Sequence, residues 1–101
     1  MTPGGVRTSH GVCVPAREVQ VVNRQGIHAR PATQFVQTAN RFRCRVTVHK
    51  GNVKVNGKSI MDMMLLEAGQ GTRLRIEADG EDAGPCLDAL DQLMRDKFHE
   101  D

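Results

Sequence analysis

The sequence contains no tryptophan and no tyrosine, and three phenylalanines are its only large aromatic residues. Proteins that bind single-stranded nucleic acid stack bases on exposed aromatic side chains, so this composition argues against that class. The formal net charge of +2 is also too small to indicate a nucleic-acid or membrane-surface partner. The densest basic run, RFRCR, alternates with apolar residues, which favours a solvated strand face. We therefore expect no nucleic-acid partner.

Two further absences concern cysteine pairs and long apolar runs. Cys13, Cys44 and Cys86 form no CxxC motif, and an odd number of cysteines cannot all pair within one chain. We expect reduced thiols in a cytoplasmic protein rather than a disulfide framework. No apolar run approaches the roughly 20 residues of a membrane-spanning helix, and the N-terminus lacks the apolar core of a signal peptide. The sequence therefore predicts no membrane insertion.

The length of 101 residues suits one domain and leaves little room for a second. Gly4, Gly5 and Gly11 make the first segment costly to order. We therefore expect residues 1–15 to form a flexible N-terminal extension and residues 16–101 to form the domain.

Strand-like and helix-like patterns follow one another along this domain. Alternation of apolar and polar residues predicts strands, and apolar residues spaced three and four apart predict helices. The predicted strands are 17–22, 43–50, 53–55 and 72–78, and the predicted helices run from about His28, from Ser59 to near Gly69 and Gly71, and from Gly84 through Phe98. The order β-α-β-β-α-β-α predicts an α+β fold, an open-faced β-sandwich. Three helices would cover one face of a four-stranded antiparallel sheet.

The stretch GIHARPAT, residues 26–33, places a histidine, an arginine and a proline at a predicted helix start. Pro31 fits only the first turn of a helix, so His28 lies at its N-terminal edge. A helix start offers unpaired N–H groups and partial positive charge, and Arg30 adds planar donors that suit phosphate oxygens. A lone histidine is more often a surface or capping residue. This combination instead favours a histidine that becomes phosphorylated.

Other roles for the histidines have weaker support. His10, His28, His49 and His99 lack the spacing of a zinc site, so we expect no metal. The sequence has no G-x-S-x-G motif, and nothing in it places an acid behind His28 for Ser-His-Asp hydrolysis. We expect no cofactor.

A second unusual stretch is KSIMDMMLLEA, which contains the S-x-x-D form of a capping box with Ser59 as the helix N-cap. The predicted helix is apolar almost all round, and a domain of this size cannot bury every side of it. Either the helix lies deep, or some methionines are exposed and provide a docking surface for partner proteins. The sequence alone leaves both arrangements open.

GIHARPAT and KSIMDMMLLEAGQGT resemble the two signatures of HPr, the histidine-containing phosphocarrier family of the bacterial phosphoenolpyruvate-dependent phosphotransferase system. The resemblance covers about residues 17–98, and the spacing from His28 to Ser59 matches without a gap. It implies that His28 accepts a phosphoryl group on Nδ1 from enzyme I and passes it to an EIIA-type acceptor. Arg30 would steady this phosphate. Ser59 would be the serine that HPr kinase/phosphorylase modifies in many members.

The resemblance also implies a docking surface that donor and acceptor share, formed by Ala29, Arg30, Ile60, Met61 and Met64. It describes a phosphoryl carrier rather than a turnover enzyme. We expect a monomer, because two partners must reach the same face. A phosphate on Ser59 would add about two negative charges beside this surface, and we expect that to weaken docking to enzyme I.

Several positions depart from the sugar-transport members of the family. Asp62 and Glu67 stand where glycine is common, and Gln37 and Asn40 replace residues that are often basic. The ending FHED and the run MMLLEA are closer to NPr, the nitrogen-related branch, which is regulatory and does not drive sugar uptake.

Two other functions therefore stay open. One is a regulatory interaction protein controlled at Ser59, and the other is a small-ligand-binding module in which His28 only caps a helix.

Overall fold

A four-stranded antiparallel sheet forms the centre of the fold, for which a computed structural model describes residues 14–99. The strands are β1 (Ala16–Gln20), β2 (Arg45–Lys50), β3 (Val53–Asn56) and β4 (Arg73–Asp79), in the spatial order β1-β4-β2-β3. The helices are α1 (Ala29–Ala39), α2 (Ile60–Leu65) and α3 (Ala83–Arg95), and a short 3-10 turn (Lys97–His99) follows them. The predicted fold class and element order are confirmed.

The alternating side chains of the strands determine which face of the sheet is covered. Leu74 and Ile76 of β4 are buried, whereas Arg73, the first residue of the strand, is exposed. The antiparallel register places Val19 opposite Leu74 and Val48 opposite Ile76, so buried residues meet across the strands. Burying one such aliphatic side chain stabilises the fold by about 1.5–3 kcal/mol. This apolar face joins the buried residues of the helices in one core.

β2 begins at Arg45, later than the sequence predicts, because the preceding backbone binds a side chain instead of a strand. The N–H groups of Arg43 and Cys44 donate to the carboxylate of Asp82 at 2.8 and 2.9 Å. Asp82 is the N-cap residue of α3, so this carboxylate joins the start of β2 to the start of α3. The hydrogen bond from the Arg43 backbone, assisted by that from Cys44, lowers the pKa of Asp82 below its ordinary value.

Cys44 and Cys86 are both buried and carry free thiols, while Cys13 lies outside the described residues. Burial raises the pKa of the Cys44 thiol and raises that of Cys86 to about 12. Both groups therefore stay protonated at neutral pH, which is the form least reactive as a nucleophile.

α2 ends at Leu65, so the prediction that it continues to near Gly69 and Gly71 is wrong. Glu67 has a φ of +50°, a left-handed conformation that stops the helix. The ammonium group of Lys50 donates to the carbonyls of Leu66 at 2.8 Å and of Glu67 at 3.3 Å. These bonds satisfy carbonyls that have no partner within a helix end.

The ends of β1 and α3 also differ from the sequence-based expectation. β1 ends at Gln20, although Val21 is fully buried and its N–H donates to the Thr72 carbonyl at 2.9 Å. α3 ends at Arg95, so Phe98 does not continue the helical stripe as predicted. Phe98 instead belongs to the 3-10 turn, where it has a φ of +56°, and its side chain is buried in the core. Its position in the core was predicted correctly, but its helical conformation was not.

The expected N-terminal extension, residues 1–15, lies outside the described residues except for its last two positions. Of these, Pro15 has a carbonyl that accepts a hydrogen bond from Ala78 N at 3.0 Å. The division at residue 16 stays a prediction. Among the helices of residues 14–99, none has the length and apolar character needed to cross a membrane.

Replacing Glu67 with glycine should stabilise the protein by about 0.5–1 kcal/mol, because glycine adopts a positive φ without steric cost. Thermal unfolding followed by circular dichroism measures this change. The matched control is Glu67→Ala, which removes the charge but keeps the Cβ atom and should give no such gain. Equal stability of the glycine and alanine variants would contradict this explanation.

Replacing Asp82 with asparagine should lower the unfolding temperature at pH 7, because the two backbone N–H groups lose a charged acceptor. The folded-state pKa of Asp82 is depressed, so its contribution is present above the ordinary carboxyl pKa of about 4 and is lost as pH falls further. The difference between variant and wild type should therefore shrink toward pH 2.5. Glu81→Gln is the control for a neighbouring exposed charge, and a difference independent of pH would refute the assignment.

Candidate functional site

A tight turn leads from β1 into α1 and requires glycine at position 26. Gly26 has a φ of +73°, and a Cβ atom there would overlap the Ala68 carbonyl oxygen and lie 2.8 Å from Gly69 Cα. The Asn23 side-chain amide donates to the Gly26 carbonyl at 2.7 Å, and Gly26 N donates to the Asn23 carbonyl at 3.2 Å. These contacts specify the backbone immediately before His28.

The segment that follows α2 supports this turn from the other side. Ile27 N donates to the Ala68 carbonyl at 2.8 Å, and the Ile27 side chain is buried in the core. The Gln70 side-chain amide donates to the Val22 carbonyl at 3.2 Å. The turn is therefore held by a main-chain bond at Ile27 and by a side-chain bond to the Val22 carbonyl.

His28 is the N-cap residue of α1, as the sequence predicts, and its backbone is extended with φ −102° and ψ −164°. Its carbonyl accepts the first helical hydrogen bond, from Ala32 N at 2.9 Å. The half-buried imidazole makes no capping hydrogen bond to the helix. This geometry argues against the alternative in which His28 only caps α1.

The start of α1 has the properties of an anion site next to the His28 ring. The N–H groups of Ala29 and Arg30 come too early in the helix to have an intrahelical acceptor, and Pro31 has no N–H. The first turn contains no acidic residue, so nothing within it offsets the positive end of the helix dipole. The exposed Arg30 adds a guanidinium group. A phosphoryl group on His28 would meet donors and positive charge here.

α2 exposes an apolar patch, which consists of Ile60, Met61, Met64 and Leu65. Met61 is 76% exposed and Leu65 is 69% exposed, whereas Met63 of the same helix is fully buried. The sequence left open whether the helix lies deep or presents its methionines, and the structure shows the second arrangement. The residues after α2 contact the Gly26 turn, so the C-terminal end of α2 lies next to the turn that precedes His28.

Leu65 was missing from the predicted docking residues, although it is more exposed than Ile60 or Met64. The signal that could have identified it is its spacing: Leu65 lies four residues after Met61 and therefore on the same helix face. The predicted residues Ala29 and Arg30 are also exposed, at the start of α1.

Ser59 is the N-cap residue of α2, as the capping-box pattern predicts. Its Oγ accepts a hydrogen bond from Asp62 N at 3.2 Å. The second half of the capping box differs, because the Asp62 carboxylate accepts from Asn56 N at 3.0 Å rather than from the N-cap backbone. Ser59 is partly exposed at the end of α2 that precedes Ile60 and Met61.

Two other features of the described residues bear on metal binding and on small-ligand binding, namely clusters of metal-binding side chains and surface depressions that a small ligand could enter. Residues 14–99 contain no group of three or more His, Cys, Asp or Glu side chains that could hold a metal ion. Two surface depressions of about 300 and 340 Å³ are lined by outward-facing sheet residues, such as Lys54 in one and His49 in the other. A third depression, of about 210 Å³, lies between β1 and α3 and is lined by residues such as Gln20 and Met94. None of the three depressions is lined by His28.

Comparison with known proteins identifies the family. A family model described as "PTS HPr component phosphorylation site" matches residues 15–96. The phosphocarrier protein HPr of Pseudomonas putida is 44% identical over 88 residues, which cover 86% of this chain and 98% of that protein. A crystal structure of HPr from Thermoanaerobacter tengcongensis has a TM-score of 0.83 and 41% identity, and the match covers 86% of this chain and 98% of that one.

A second structure from the same organism, an HPr dimer, has a TM-score of 0.70 at 44% identity and covers 81% of this chain and 94% of that one. The family model spans the GIHARPAT stretch, the Gly26 turn and all of α2. The resemblance inferred from the two signatures is therefore confirmed. The chain belongs to the HPr family of phosphocarrier proteins of the phosphotransferase system.

Proposed function

We propose that His28 accepts a phosphoryl group on Nδ1 from phosphorylated enzyme I and passes it to an EIIA-type protein. Family membership gives the phosphocarrier role in general form. The observation that supports His28 as the carrier residue is its position at the α1 N-terminus, with a ring that does not cap the helix. The carrier is a reactant that leaves each transfer changed, rather than a turnover enzyme.

The transfer needs a nucleophile and a place for the phosphoryl charge. A neutral imidazole has a lone pair on one ring nitrogen, which attacks phosphorus while the bond from phosphorus to the donor atom of enzyme I breaks. The N–H groups of Ala29 and Arg30 and the Arg30 guanidinium would stabilise the negative oxygens. Transfer to the acceptor repeats this exchange, with His28 as the leaving group.

The apolar patch and the start of α1 together would form the docking surface. Ala29 and Arg30 would contact each partner beside the phosphoryl group, and Ile60, Met61 and Met64 would supply apolar contact. A single phosphoryl site must meet donor and acceptor in turn, so both would use this face. A cytoplasmic monomer fits this requirement and stays our prediction, although one solved relative is described as a dimer.

Ser59 is the proposed regulatory residue, modified by an enzyme of the HPr kinase/phosphorylase type. Its hydroxyl is partly exposed and directly precedes Ile60 and Met61 of the apolar patch. A phosphate there adds about two negative charges to the edge of the docking surface. We expect this modification to weaken docking to enzyme I.

The second candidate is an NPr-like regulatory interaction protein that does not itself drive sugar transport. The observation in its favour is the charge around the docking surface. Asp62 and Glu67 place acidic groups at the two ends of α2, while Gln37 and Asn40 leave α1 without basic residues at those positions. A partner whose acidic surface binds a basic rim would therefore meet less complementary charge on this protein.

Incubation with phosphoenolpyruvate and a bacterial enzyme I should add one acid-labile phosphate to wild type and none to His28→Ala. Intact-mass analysis before and after acid treatment, with peptide mapping, measures this. The matched control is His49→Ala, because His49 lies on the outer sheet face and pairs with Glu77 at 3.0 Å. Labelling of wild type by neither a sugar-branch nor a nitrogen-branch enzyme I would contradict the proposal, and the faster donor indicates the branch.

Replacing Gly26 with alanine should slow phosphorylation of His28 by about tenfold or more, because the turn that positions the ring must move away from Ala68 and Gly69. Initial rates with a bacterial enzyme I, together with thermal unfolding, measure the effect. Gly51→Ala is the matched control, since Gly51 also has a positive φ but has open space around it. A folded Gly26→Ala protein labelled at the wild-type rate would show that this turn does not position His28.

A further inference from the structure

The first turn of α2 already holds a negative charge. The Asp62 carboxylate is fixed by the hydrogen bond from Asn56 N at 3.0 Å, and Asp62 N donates to Ser59 Oγ at 3.2 Å. The Asp62 carboxylate and the Ser59 hydroxyl therefore occupy the same turn. The Asp62 carboxylate satisfies the preference of a helix N-terminus for an anion.

The two lysines that flank α2 are engaged elsewhere. The Lys58 ammonium donates to the Phe42 carbonyl at 2.6 Å, near the end of α1. The Lys50 ammonium donates to the Leu66 carbonyl at the opposite end of α2. Neither hydrogen bond is made to the turn that carries Ser59 and Asp62, so a phosphate there would have to draw Lys58 away from the Phe42 carbonyl to gain an ion pair with it.

We propose that Asp62 makes the start of α2 intolerant of negative charge at position 59, so that phosphorylation of Ser59 loosens α2. The phosphate would arrive when Ser59 Oγ attacks the γ-phosphorus of a nucleoside triphosphate. The bond from that phosphorus to the β-phosphate oxygen breaks, and the kinase takes the hydroxyl proton. This inference rests on the proposed function, because it names how the modification would act on the docking surface.

The destabilisation follows from like charges three residues apart on one helix, which repel each other. Separating them breaks one of two contacts: Asp62 releases Asn56 N, or residue 59 releases Asp62 N. α2 has only six residues, and a helix this short depends on its caps and on packing. Met63 is its one buried residue, so loss of the cap would release Ile60 and Met61 from their positions in the apolar patch.

A four-protein cycle tests the coupling: Ser59 or phosphoserine at position 59, installed through an expanded genetic code, each with Asp62 or with Asp62→Asn. Thermal unfolding at low ionic strength is the first measurement. Hydrogen exchange of Asp62 N and Met63 N is the second, because both amides hydrogen-bond to Ser59. Ser59→Asp and Ser59→Asn in both backgrounds form a second cycle, which differs at position 59 mainly in charge.

With Asp62 present, phosphoserine should lower the unfolding temperature by about 2 °C or more and accelerate exchange of the α2 amides. In the Asp62→Asn background the same phosphate should leave the unfolding temperature unchanged or raise it. In that background the Ser59→Asp protein should also unfold at the same temperature as the Ser59→Asn protein or at a higher one. Equal effects of the phosphate in both backgrounds would overturn the inference. Neither measurement uses enzyme I, so the outcome is independent of whether His28 becomes phosphorylated.

Discussion

The contact between the Gly26 turn and the segment after α2 is the constraint on which the site depends. Backbone meets backbone at van der Waals distance there, and the Ile27–Ala68 hydrogen bond fixes the approach. The same segment leads to β4, and just before that strand Val21 N donates to the Thr72 carbonyl and Gly71 N donates to the Val21 carbonyl. One set of main-chain bonds therefore runs from the end of the β1–β4 pair to the backbone of His28.

Much of this fold could be predicted because its elements are specified by local pattern. Alternation identified all four strands, Pro31 located the start of α1, and the S-x-x-D pattern located the start of α2. The errors came from contacts that local pattern does not contain. The Asp82 carboxylate removes Arg43 and Cys44 from β2, although it lies far away in the chain. Glu67 as a residue type does not favour a positive φ, and the signal was only indirect: the position is one where members of the resembled family commonly have glycine.

The candidate site, like the fold, could be predicted from the sequence only in part. The position of His28 was predictable, because Pro31 fits only the first turn of a helix and Gly26 permits the tight turn before it. The exposure of α2 was not, because a helix that is apolar almost all round gives no preference for one face. Tertiary packing determines which face is buried. Met63 and Leu66, which lies just beyond the helix, are in the core, whereas Met61 and Leu65 are exposed. A sequence can show that apolar surface is in excess, but only tertiary structure shows which part stays exposed.

The two parts of the site have different structural support, and this difference bears on how such a carrier can be controlled. The turn before His28 is held chiefly by backbone hydrogen bonds, which a change of charge on a neighbouring side chain leaves intact. α2 is short, and its first turn depends on the side chains of Ser59 and Asp62. Under the proposed function, a modification at Ser59 would therefore alter the docking surface while the backbone that positions His28 persists. The proposed phosphoryl site and the proposed docking surface rest on contacts of different kinds, so we expect that recognition can be regulated without the loss of the chemistry.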